Sequence, residues 1–154
     1  MKTNDIAKIG LLGFLPILLG GFIYLISRPK TILLFDWIKT IQLEKETDEI
    51  REFFSSFHFS EWIRFNLPDL LWVFSFTYVM LIIWKGVESK TKVFYYILPL
   101  FIGIASELLQ YFNQNLGTFD IKDIIFYSFG FLLGIIIFKT TNQSNNEKQI
   151  TTPI

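Results

Sequence analysis

Glu107, Gln110, Asp120 and Asp123 stand in a stretch that otherwise reads as two apolar spans joined by a tight turn. Ionisable groups at membrane depth are expensive, so they mark sites by default. Three kinds of chemistry are open to such a set. In a low-dielectric pocket the side chains form strengthened hydrogen bonds with a lipid head group or another polar ligand. Clustered carboxylates hold Mg²⁺ or Ca²⁺ through oxygen, or one of them serves as a general base. Alternatively, they only fix helix register or partner contacts. No nucleophile-plus-base pattern and no metal-binding signature accompanies them, and the residues name no cofactor.

Spacing sharpens the set. Glu107 and Gln110, three apart, share one helix face, as do Asp120 and Asp123. Asp69 follows Pro68, with His58, Arg64 and Asn66 just before it, so Asp69 and Arg64 are further contributors. Plainer readings exist for most members. Asp120 suits an N-cap and Asp123 a first helical turn, where carboxylates are favoured; Asp69 reads the same way. Gln110 serves as interhelical glue. His58 reads as a surface residue. Glu107 lies too far from a helix end to cap it, which leaves a hydrogen-bonded structural glutamate as its plain alternative.

The elements that must position these groups follow from composition. Of 154 residues, 51% are hydrophobic and 18 are Phe, which is too apolar for an ordinary soluble domain of this size. Net charge is zero without a basic stripe, so no nucleic-acid partner is expected. The absence of cysteine excludes disulfides, thiolate catalysis and Cys-type metal sites.

Four segments match the ~17–25 residues a spanning helix needs: 9–27, 69–84, 93–112 and 121–138. The expected fold is therefore all-α, a polytopic domain over 1–139 with four transmembrane helices, followed by a disordered polar tail at 140–154. The first apolar run ends in Ser27-Arg28-Pro29 without a small-residue cleavage site, so it reads as a retained anchor. Lys85, Lys90 and Lys92 crowd one short loop, which places the N- and C-termini on the cytoplasmic side and the polar set near the outer face.

The first loop is more than a linker. Leu34, Ile38 and Ile41 recur at helical spacing, which predicts an interfacial helix within Thr31 to Leu43. Densely charged residues 44–52 follow, then Phe53, Phe54, Phe57, Phe59, Trp62 and Phe65, an aromatic cluster suited to the headgroup level. The loop is either an interfacial anchor or a lid over the site. Gly130 and Gly134 form a Gly-x-x-x-Gly pattern that lets a helix approach closely, whether a neighbour in the chain or a second copy.

Glu107-Leu108-Leu109-Gln110, then Phe119-Asp120-Ile121-Lys122-Asp123, then Gly130 and Gly134, resembles the VanZ-like family of small bacterial membrane proteins. The family pattern is Glu-x-x-Gln, a short turn often containing Pro-Gly-Arg, Asp-x-x-Asp, and Asn-x-x-Gly on the last helix. The match covers about thirty residues, and the four-span layout extends it over most of the chain. Two positions depart from it. The turn reads Asn115-Leu116-Gly117-Thr118 where the family has arginine, and Tyr127 stands where it has asparagine. Arg64 is the candidate substitute for the missing arginine. The resemblance implies a protein of the bacterial cytoplasmic membrane that modifies or protects the envelope, with a role in resistance to teicoplanin-type glycopeptides. Its implied partners are the bilayer and a lipid head group or the glycopeptide; a small enzyme acting on a lipid-linked envelope substrate is the alternative.

Overall fold

The computed structural model describes residues 3–113 and 118–150, with side chains through 142. The turn at 114–117, where the family motif is interrupted, lies outside the described residues. No strand occurs among those described, and the all-helical expectation holds.

Three helices are long and apolar enough to cross a membrane: α1 (Thr3–Ser27), α6 (Thr91–Phe112) and α7 (Ile121–Ile150), whose apolar part is Ile121–Asn142. Between them come α2 (Leu33–Thr40), α3 (Glu44–Phe53), α4 (Glu61–Phe65) and α5 (Leu67–Ile83). With 17 residues, α5 is the shorter apolar helix. It rises about 25 Å, against about 33 Å for the 22 residues of α6.

Although shorter than α1, α6 and α7, α5 is the axis of the bundle. It packs against α1, α6 and α7, and Val73, Phe74, Ser75, Thr77, Tyr78 and Ile82 are buried along it. The close approach of α7 depends on Gly130 and Gly134. A Cβ on Gly130 would strike the Leu70 carbonyl, and one on Gly134 would lie 3.1 Å from Thr77. The small-residue face is thus filled by α5 of the same chain, and a second copy does not find it vacant. Gly13 does the same on α1, where a Cβ would fall 2.5 Å from Val79. It lies in a π-helical stretch, Ile9–Phe14.

Several boundaries differ from those read in the sequence. The first span starts six residues before Ile9, because its polar first turns are satisfied: Asp5 pairs with Lys85 at 3.1 Å, and Lys8 Nζ donates to the Thr141 carbonyl at 2.7 Å. The interfacial helix ends at Thr40, where the chain turns through Gln42 at φ 61°. Residues 44–52, read only as a charged stretch, form most of α3, in keeping with the helix propensity of Glu and Lys. Beyond Phe138 the helix continues to Ile150, where composition predicts a tail; helical backbone bonds are local and need no core to form.

The first loop is docked on the end of α1. Arg51 donates to the Leu25 carbonyl and lies over the Phe35 ring at 4.9 Å; Lys30 pairs with Asp48, and Phe22 meets Phe54 edge-on at 5.2 Å.

Candidate functional site

Four helices bring their polar ends to one place. Ser27 ends α1, and Arg28 follows in extended backbone that turns the chain away. Pro68 sits in the first turn of α5, where its missing N–H leaves no bond unmade, and places Asp69 one residue on. Glu107 lies five residues before the end of α6, and Gln110 one turn later. Asp120 caps α7, its Oδ1 accepting from the Lys122 N–H at 2.9 Å, with Asp123 in the first turn.

A cavity of about 520 Å³ opens among these ends, lined by Arg28, Asp69, Glu107, Gln110, Asp120 and Asp123 together with Tyr24, Ile32, Phe65, Thr118 and Tyr127. The structure thus brings Glu107, Gln110, Asp120, Asp123 and Asp69 together. Arg64 is not among the lining residues; its guanidinium donates to the Ser27 carbonyl at 3.2 Å and lies over Phe65. The arginine of the cavity is Arg28.

Glu107 is the most enclosed of the carboxylates, only 2% exposed. Three donors hold it. Gln110 Nε2 and the Tyr127 hydroxyl each reach Oε1 at 3.4 Å, and the Asp120 N–H reaches Oε2 at 3.2 Å. The last of these ties α6 to the cap of α7. A buried carboxylate needs such partners, since an unmet acceptor in a low-dielectric setting is costly. Asp123 Oδ1 accepts from the buried amide of Asn66 at 2.7 Å, which joins α7 to the residue before α5.

Tyr127 was legible only as a departure from the family motif, yet it is the residue that reaches Glu107. Its ring fits because Gly103 faces it: a Cβ there would lie 2.9 Å from two ring carbons. Trp72 of α5 packs against the same ring at 5.7 Å. Arg28 is held between two rings, 5.0 Å from the Tyr24 centroid and 4.9 Å from Phe65, and donates to the Phe65 carbonyl at 3.5 Å. Among the described residues its Nε is buried without a partner. The signal that would have found it is position: Arg28 ends the first span at the face where every other member gathers.

Among the described residues no group of three or more His, Asp or Glu side chains has the geometry to hold a metal ion. The carboxylates surround a space rather than converge on a point, which suits recognition of an extended polar guest better than coordination of a bare cation. At the other end of the bundle lies a separate polar group: Asp5, Lys8 and Lys85, with the Thr141 carbonyl and Asn142 accepting from Lys8. Lys8 and Arg28 are about 30 Å apart at the rise of α1.

Comparison of the chain with family models, with curated proteins and with solved structures finds no match.

Proposed function

We propose that the chain is a VanZ-like protein of the bacterial cytoplasmic membrane that crosses it four times and binds a lipid head group or a glycopeptide in the cavity around Glu107, contributing to glycopeptide resistance. The observation that carries this reading is the convergence of Asp69, Glu107, Gln110, Asp120 and Asp123, from three helices, on one cavity of about 520 Å³. Ligand sites fall in the ~300–1,000 Å³ range and combine apolar walls with a few placed polar groups. Glu107, Asp120 and Asp123 each have a hydrogen-bond partner, as a set serving only helix register would; the space left between them is what such a set would lack.

The fourth span is α5. Its 17 residues are at the short limit for crossing, but its position at the bundle axis surrounds it with protein rather than lipid. The lysine-rich connection between α5 and α6 then faces the cytoplasm with both termini, and the cavity faces outward. Exposed Leu33, Trp37, Phe53, Phe57 and Trp62 on the docked first loop suit the headgroup layer.

The test is glycopeptide susceptibility of a sensitive bacterium expressing the wild-type chain, Glu107→Gln or Asp123→Asn, with membrane abundance measured alongside. Protection by the wild type that both variants lose at equal abundance supports the reading. Absence of protection by the wild type refutes the resistance role, and loss of abundance in step with protection assigns the cluster to folding instead.

A further inference from the structure

We infer that the cavity recognises a zwitterion, an ammonium group joined to a phosphate, of the kind carried by an aminophospholipid head group: Asp69 and Asp123 take the ammonium and Arg28 the phosphate. The inference rests on the cavity being the binding site, and narrows what it binds.

Charge decides the class. Four carboxylates, Asp69, Glu107, Asp120 and Asp123, line the space with one guanidinium, Arg28. A purely anionic guest would meet one attractive group and four repulsive ones. A guest with a positive end relieves the repulsion among the carboxylates, and in a low-dielectric pocket that relief is large. Among the described residues Arg28 makes no ion pair with any of the four, although it lines the same cavity. Opposite charges that share a space without touching leave room for a guest that carries both signs.

The individual groups fit the two roles. Both oxygens of Glu107 already accept hydrogen bonds from within the protein, so Glu107 shapes the field more than it grips. Asp120 spends Oδ1 on its helix cap, and Asp123 gives Oδ1 to the Asn66 amide and keeps Oδ2 for a guest. Asp69, hydrogen-bonded to Trp72, and Asp123 stand at the first turns of α5 and α7, where they repel each other and Arg28 offsets part of that repulsion. The Arg28 plane is fixed between the Tyr24 and Phe65 rings, and Arg28 lines the cavity. A guanidinium presented in this way is the side chain best shaped to meet a phosphate. A divalent cation is the competing positive guest, but among the described residues no three acidic side chains are arranged to share one.

The experiment measures lipid binding to the full chain in detergent by native mass spectrometry, using phosphatidylethanolamine, phosphatidylcholine and phosphatidylglycerol of matched acyl chains, with teicoplanin and soluble phosphoethanolamine as competitors. The expected result is about tenfold preference for the ethanolamine lipid over the glycerol lipid, lost in Asp69→Asn, whereas Arg28→Gln weakens binding of every phosphate-bearing lipid. Competition by phosphoethanolamine places recognition in the head group; competition by teicoplanin alone would move the zwitterion from lipid to antibiotic and overturn the phosphate assignment. Equal or stronger binding of phosphatidylglycerol, or no selective binding at all, overturns the inference. An ethanolamine preference that survives Asp69→Asn, Arg28→Gln and Glu107→Gln alike would instead show that the cavity is not the binding site, and so defeat the underlying reading. Thermal unfolding of each variant verifies that it is folded, and Asp69→Glu, which keeps the charge, is expected to keep the preference.

Discussion

The Tyr127 hydroxyl donates to Glu107 Oε1 at 3.4 Å, so that a phenol on α7 and a carboxylate on α6 are joined inside the bundle. Both residues are buried, and the ring reaches this position only because residue 103 has no side chain.

Removing the hydroxyl alone tests the bond. Tyr127→Phe keeps the ring on Gly103 and Trp72 but leaves Glu107 one donor short. A typical hydrogen bond contributes about 0.5–1.5 kcal/mol, and at 3.4 Å this one is long, so thermal unfolding in detergent is expected to show destabilisation towards the lower end of that range. An unchanged melting temperature would mean that Glu107 does not depend on the phenol.

Gly103→Ala attacks the same contact from the other side. The added methyl must push the Tyr127 ring away, and overpacking of this kind typically costs about 1–3 kcal/mol. Combining Gly103→Ala with Tyr127→Phe is expected to give less than the sum of the two losses, because the hydrogen bond can be lost only once, while the overpacking against the ring remains.

On α7, Gly130→Ala places a methyl against the backbone carbonyl of Leu70, which cannot rotate aside. Membrane abundance of this variant is expected to collapse. Gly21→Ala is the matched control: among the described residues nothing beyond its own helix backbone and chain neighbours would lie within 4 Å of an added Cβ, and replacing Gly by Ala inside a helix is worth up to about 1 kcal/mol, so abundance should hold or rise.

Asn66→Ala strips Asp123 of its amide partner. An unsatisfied buried polar group costs about 1–3 kcal/mol, more where it is charged. The double variant with Asp123→Ala should recover part of the loss. A strictly additive double-mutant cycle would show that the 2.7 Å contact contributes no coupling.

Sidedness has a direct assay because the chain lacks cysteine. Thr118→Cys, at the cavity end, is expected to react with a membrane-impermeant maleimide in intact cells. Glu88→Cys, beyond the far end of α5, should react only after permeabilisation. The reverse pattern would invert the proposed orientation.

Much of the site could be read before the fold. Glu107 and Gln110 stand out because polar residues three apart on an apolar helix have no cheap place to go, and Asp69, Asp120 and Asp123 because they follow the signals that start helices. Arg28 escaped notice because a basic residue after a span ordinarily reads as an interface charge. Tyr127 in an apolar helix reads as packing, and nothing local says that Gly103 makes room for it. The central place of α5 was equally hidden. Hydropathy reports that a helix is apolar but not whether lipid or protein covers it; the small residues Ser75 and Thr77, and the glycines of α7, were the only local hints. The helicity of α3 was available in its Glu and Lys content, but its charge density drew the reading towards a loop.

The short rise of α5 also has an electrical consequence. In the proposed four-span arrangement the voltage of an energised membrane falls along α5 across the apolar middle between Asp69 at one end and Lys85 just past the other, about 24 Å of helix. Asp69, Asp120 and Asp123 would then lie at the rim of this drop. A charged guest held by them would move almost no charge through the field, so its binding would be insensitive to the membrane potential.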